Sequence, residues 1–100
     1  MNKLHLALQD GFRDDSVRVS VNGHVVSEKT GVTTNLAISY ADAVEVAVPD
    51  ATVVVEVSVL SRNRAAKETI NVTKEPYLYV NLADDGTPVF RRSEEMLPYM

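Results

Sequence analysis

One hundred residues, 45% of them apolar and 24% charged, specify one globular domain with its own core, and a formal net charge of −4 disfavours nonspecific attachment to nucleic acid. Without a cysteine the chain has no disulfide framework, no thiolate zinc site and no cysteine nucleophile. No stretch reaches the apolar length of a transmembrane helix, so the expectation is a soluble, cytoplasmic protein with no membrane partner.

The first segment alternates. Leu4, Leu6 and Leu8 fall on one side of an extended chain and His5 and Ala7 on the other, which predicts a strand over residues 3–9. A polar loop follows, Asp10-Gly11-Phe12-Arg13-Asp14-Asp15. Val17, Val19 and Val21 then alternate with Arg18 and Ser20 as a second strand. Asn22-Gly23 supplies the two positive-φ positions of a type I′ turn, and the return strand runs from His24 to Lys29. Such a turn sets His24 opposite Val21, Val26 opposite Val19 and Glu28 opposite Val17. Residues 30–35 read as a loop or edge crossover, and Leu36, Ile38 and Tyr40 predict a fourth strand over 36–40.

The densest pattern lies between Ala43 and Val59. Val44, Val46 and Val48 share one face, as do Val53, Val55, Val57 and Val59, and Pro49-Asp50 separates the two runs. The spacing predicts an antiparallel hairpin in which Val48 meets Val53, Val46 meets Val55 and Val44 meets Val57. A sheet with such a face has to bury it against a second layer, so the fold expected is an all-β antiparallel sandwich. After a connection over 61–66, strands are expected at 67–73 and 77–82, with a turn over 83–88 and a short strand over 89–92. Leu78, Val80 and Leu82 point one way on the penultimate strand, and Tyr77, Tyr79 and Asn81 the other.

Seven to nine short strands at intervals of about 8–12 residues match an immunoglobulin-like sandwich, without the Cys and Trp landmarks of true immunoglobulin domains. Residues 33–60, with threonines, a strand, a Pro turn and a valine strand, resemble the transthyretin-like domains appended to carboxypeptidases. That resemblance extends over about a quarter of the chain, carries no diagnostic motif and implies a transthyretin-like sandwich. The domain is expected over 1–92, leaving 93–100 as a C-terminal tail or docking arm.

Chemistry-bearing clusters are few. Asp10, Asp14 and Asp15 share one loop and Asp84 and Asp85 another, but the spacing lacks the Gly and terminal Glu of an EF-hand, and Asp is what turns use to bind their own backbone. No metal is expected there. Gly11, Gly23, Gly31 and Gly86 are isolated, so neither a dinucleotide fingerprint nor a phosphate loop is present and no cofactor is expected. His5 and His24 read as solvated or packing residues. A hydrolase centred on His24 requires a serine and an acidic residue to converge on it, and no serine sits in a nucleophile elbow. Arg62, Arg64, Lys67, Arg91 and Arg92 read as solvated loop and edge residues of an acidic chain, so no nucleic-acid partner is expected. Asn71-Val72-Thr73 has the form of a glycosylation sequon.

The sequence therefore reads as a non-catalytic interaction or accessory module, not an enzyme, with a protein partner or self-association. Met96, Leu97 and Tyr99 are the candidate anchors, held in an irregular arm because Pro98 opposes regular pairing. The alternative is a carbohydrate- or peptide-binding module that uses Tyr40, Tyr77, Tyr79 and Asn81.

Overall fold

The alternating segments form eight strands in a computed structural model that describes residues 2–38 and 40–94. They are β1 (Asn2–Leu8), β2 (Asp15–Val21), β3 (His24–Val32), β4 (Asp42–Val48), β5 (Thr52–Val59), β6 (Arg64–Asn71), β7 (Tyr77–Leu82) and β8 (Pro88–Ser93). A short 3₁₀ turn, Leu60–Arg62, leads into β6. Among the described residues no helix is long and apolar enough to cross a membrane.

The strands make a β-sandwich of two four-stranded sheets. The first sheet has the order β4-β1-β7-β8 and the second β3-β2-β5-β6. All pairings are antiparallel except β1 with β7, which run parallel. Leu4, Leu6, Leu8, Leu78 and Val80 of the first sheet meet Val17, Val19, Val53, Val55, Val57 and Ile70 of the second in one buried cluster. The chain changes sheet at the β1–β2, β3–β4, β4–β5 and β6–β7 connections, so the core is tied together by links at both ends of the strands.

The two valine strands are not a hairpin. β4 pairs with β1, Leu4 opposite Val46, whereas β5 lies between β2 and β6, Val55 opposite Val21 and Glu68. The Pro49–Ala51 connection instead arches from one sheet to the other, held where Asn2 Nδ2 donates to the Asp50 carbonyl at 3.2 Å and the Val72 N–H donates to the Ala51 carbonyl at 2.7 Å. The valines still point into the core. They meet across the layers rather than along a shared ladder.

The Asn22-Gly23 turn has the positive φ values of a type I′ turn, 51° and 84°. Val21 faces His24 as expected, but a bulge follows Ser20–Val25, after which Val19 faces Ser27 and Val17 faces Lys29. Val26 is the extra residue. The shift places Glu28 opposite Arg18, which it meets at 3.1 Å, and turns Lys29 toward β4, where its Nζ lies 2.8 Å from Asp42.

Residues 36–38 form a turn instead of the strand expected there, and Tyr40 makes an isolated antiparallel bridge to Asn35. Asn35 captures the backbone there: its N–H donates to the Tyr40 carbonyl at 2.8 Å, and its side-chain oxygen accepts the Ala37 N–H at 3.0 Å. Leu36 is left 86% exposed. The strand expected over 67–73 begins earlier, at Arg64, because Asn63 adopts the left-handed conformation at φ 54° and reverses the chain directly after the 3₁₀ turn.

Candidate functional site

The two outer faces of the sandwich differ in character. On the second sheet the paired outward residues mix polar and apolar side chains: Arg18 with Glu28 and Ser58, Ser20 with Val25 and Glu56, Glu56 with Lys67, Ser58 with Ala65, and Val54 with Thr69, Val25 and Val54 being exposed. On the first sheet the outward residues are Lys3 with Ala47, His5 with Glu45 and Tyr77, Ala7 with Ala43 and Tyr79, then Tyr77 with Ser93, Tyr79 with Arg91 and Asn81 with Val89. Apolar side chains on a solvent-side face have to be explained by what they contact.

The groove on this face follows from side-chain size. Ala7 and Ala43 stand opposite one another on β1 and β4 and leave a low floor, while the row Glu45, His5, Tyr77 rises beside it. The result is a groove of about 280 Å³ lined by His5, Ala7, Ala43, Glu45, Tyr77 and Tyr79. The His5 and Tyr77 rings stack with centroids 4.9 Å apart and planes inclined at 22°, which fixes one wall. His5 Nδ1 lies 3.2 Å from one Glu45 oxygen, and Lys3 Nζ lies 2.9 Å from the other. The hydrogen bond from Lys3, followed by its charge, holds the Glu45 carboxyl below the ordinary glutamate range. The arrangement offers an apolar floor, an aromatic wall and a charged pair at one rim.

The site residues expected from the sequence separate. Tyr77 lines the groove and is half-buried. Tyr79 stands on the same outward side, yet retains only 2% of its accessible surface, and the neighbouring Ala7 retains 5%. Asn81 is engaged within the fold, accepting the Asp10 N–H at 2.9 Å and donating to Gln9 Oε1 at 3.3 Å. Tyr40 closes the Asn35 turn and does not line the groove. Met96, Leu97 and Tyr99 lie outside the described residues.

Other clusters resolve into structural roles. Asp15, buried at the sandwich end, accepts from the Arg13 N–H, the Ser61 hydroxyl and the Arg62 guanidinium. Arg64 approaches Asp85 at 3.8 Å and Arg92 approaches Glu68 at 3.4 Å. Asn71 accepts hydrogen bonds from Thr73 and from the Lys74 N–H, and so shapes the turn that ends β6. A second hollow holds His24 with Val26, Val46, Pro49 and Asp50, and no serine is among its described lining residues. Groups of three or more His, Asp or Glu side chains suited to a metal ion are absent among the described residues.

The groove-forming alanines and Glu45 are the residues that sequence reasoning missed. Their signal was present as small residues on the solvent side of two strands, but which strands adjoin was needed to align Ala7 with Ala43. No family model matches the chain, and no curated protein or solved structure matches it at a significant level.

Proposed function

We propose that the protein is a non-catalytic interaction module that uses the outer face of the first sheet to bind an extended, largely apolar peptide segment. The supporting observation is the groove on that face, with Ala7 and Ala43 as its floor, the stacked His5 and Tyr77 rings as a wall and the Lys3–Glu45 ion pair at its rim. Peptide is favoured over carbohydrate. Sugar binding needs an open aromatic face, but His5 covers one face of Tyr77, Tyr79 is buried and Asn81 is engaged. An extended peptide instead fits an aromatic-walled groove that is narrow and mostly apolar.

The test is selection from a random peptide library on the immobilised protein, followed by affinity measurement on two variants. Ala43→Arg fills the groove from an exposed position, and Thr69→Arg places the same side chain on the opposite outer face. Selected peptides are expected to alternate apolar residues and to bind Ala43→Arg at least about tenfold more weakly, a difference near 1.4 kcal/mol. Thr69→Arg is expected to bind them as the parent does. Peptides indifferent to Ala43→Arg, or no selected peptides at all, would overturn this reading.

A further inference from the structure

We infer that the groove on the first sheet takes one tryptophan side chain of the bound peptide, its indole N–H donating to His5 Nε2. The inference rests on the reading of that face as a peptide-binding surface and names the residue that the surface selects.

Size is the first observation. At about 280 Å³ the groove falls just below the range of about 300–1,000 Å³ in which pockets hold whole small ligands, so it has room for one large side chain and not for a run of them. Its floor is made by the short Ala7 and Ala43, and the stacked His5 and Tyr77 rings stand beside it. A planar aromatic side chain fits such a space, because it packs on methyl groups below and meets ring edges or faces at the side.

The polar groups of the wall are the second. Lys3 Nζ lies 2.9 Å from one Glu45 oxygen, and His5 Nδ1 lies 3.2 Å from the other. A neutral imidazole carries its proton on one nitrogen and a lone pair on the other, whereas an ionised carboxylate only accepts. A lone pair on Nδ1 would face the Glu45 charge. The proton therefore sits on Nδ1, and Nε2 is left as an acceptor. Among the described residues no hydrogen bond or ion pair engages Nε2. A ligand that covers it without offering a donor strips its hydration and returns nothing.

Side-chain chemistry is the third. Leucine, methionine and phenylalanine would fill the groove but leave Nε2 unmet. Indole joins a large apolar surface to a single N–H that donates and cannot accept. A tyrosine hydroxyl would bring acceptor lone pairs to a rim that already carries a carboxylate. The hydroxyl of Tyr77 both donates and accepts, so it does not discriminate. Lys3, exposed at the same rim, adds a cation for which the indole face is the best aromatic partner.

The test is NMR titration of the full chain at pH 8, where histidine side chains are ordinarily neutral, with N-acetyl-tryptophanamide, its N-methylindole analogue and N-acetyl-phenylalaninamide. Long-range proton–nitrogen spectra are expected to place the His5 proton on Nδ1, and the tryptophan probe to shift His5 Nε2 and the Ala43 methyl. The N-methylindole probe is expected to bind about fivefold more weakly, the worth of one hydrogen bond, and the phenylalanine probe more weakly still. His5→Phe keeps a ring against Tyr77 and removes the acceptor, so the tryptophan and N-methylindole probes are expected to bind that variant equally. A proton on Nε2, equal affinity of the parent chain for those two probes, or a phenylalanine probe that binds as tightly as tryptophan would overturn the inference. Probes that leave Ala43 and His5 unmoved would do the same. The library selection keeps the two failures apart: groove-dependent peptides without tryptophan leave the binding reading standing while this inference fails, whereas the absence of any groove-dependent peptide removes the reading and the inference together.

Discussion

Asp15 shows how one buried charge is retained at the end of the sandwich. Its carboxylate is 2% exposed and accepts four hydrogen bonds, from the Arg13 N–H, the Ser61 hydroxyl and two Arg62 nitrogens, at 2.7 to 3.0 Å. Burial works to raise its pKa, and the hydrogen bonds from Arg62, then from the Arg13 N–H and Ser61, outweigh it and leave the group below the ordinary aspartate range. An unfolded aspartate titrates near 3.9, so the lowered folded value contributes stability that is fully present above about pH 4 and disappears as the pH falls through that folded value. Asp15→Asn leaves the Arg62 guanidinium without its counter-charge, and is expected to cost about 3 kcal/mol at pH 7. Urea midpoints at pH 7 and at pH 3 check this: the gap between parent and variant should narrow at the lower pH, and an equal gap would show that charge is not the contribution. Gly86 belongs to the same cluster. It has φ +88°, and a Cβ added there would lie 2.5 Å from Arg62 Cδ. Gly86→Ala is therefore expected to cost about 1–2 kcal/mol, with the Asp15→Asn, Gly86→Ala double variant costing less than the sum because both disturb Arg62.

At the level of elements, the Asn22-Gly23 turn does more than reverse the chain. Asn22 Oδ1 accepts the Val54 N–H and the Asn22 N–H donates to the Val54 carbonyl, both at 2.9 Å, so the turn extends the β2–β5 ladder past its last paired residues. Asn22→Gly keeps the backbone geometry and removes only the side-chain bond, an expected cost of about 1 kcal/mol. Gly23→Val meets no steric obstacle in the surroundings, yet forces a β-branched residue to φ +84° and is expected to cost about 1–2 kcal/mol. Equal denaturant midpoints for the parent and both variants would remove the turn from the list of stabilising features. This turn was legible because its signal is local, as were the strand Tyr77–Leu82 and the inward faces of β1, β2 and β5. The partner of each strand was not. Alternation tells which side of a strand is buried, and valines that face inward satisfy that pattern equally in a hairpin or in an arch between sheets. The bulge at Val26 was invisible for a related reason: His24-Val25-Val26 is apolar enough to accept either register, and the contacts of Glu28 with Arg18 and Lys29 with Asp42 decide it. The groove inherits the same limit, since Ala7 and Ala43 form a floor only once β1 and β4 are neighbours. Cross-strand NOEs provide the check: backbone contacts are expected between Leu4 and Val46 and none between Val46 and Val55.

Across the whole molecule, the four edge strands limit how such a sandwich can associate. Each edge carries charge: Glu28 and Lys29 on β3, Asp42 and Glu45 on β4, Arg64, Lys67 and Glu68 on β6, Arg91 and Arg92 on β8. The open sides between the sheets are bridged by Lys29 with Asp42 on one flank and Arg92 with Glu68 on the other. These pairs are partly exposed and contribute little stability, on the order of 0–1 kcal/mol. Their value lies in making strand addition at the edges unfavourable, because a second strand would have to desolvate them. The groove on the outer face of the first sheet, and the exposed Val25 and Val54 on the outer face of the second, are surfaces on which an apolar contact can form without pairing to a backbone ladder. Replacing Glu68 and Arg92 together with valine removes one guarded flank while leaving every core contact in place. The urea midpoint is expected to move by no more than the equivalent of about 1 kcal/mol, while sedimentation at rising concentration is expected to show larger species than the parent chain forms. A double variant that sediments as the parent does would show that the charges on this flank do not oppose pairing through it.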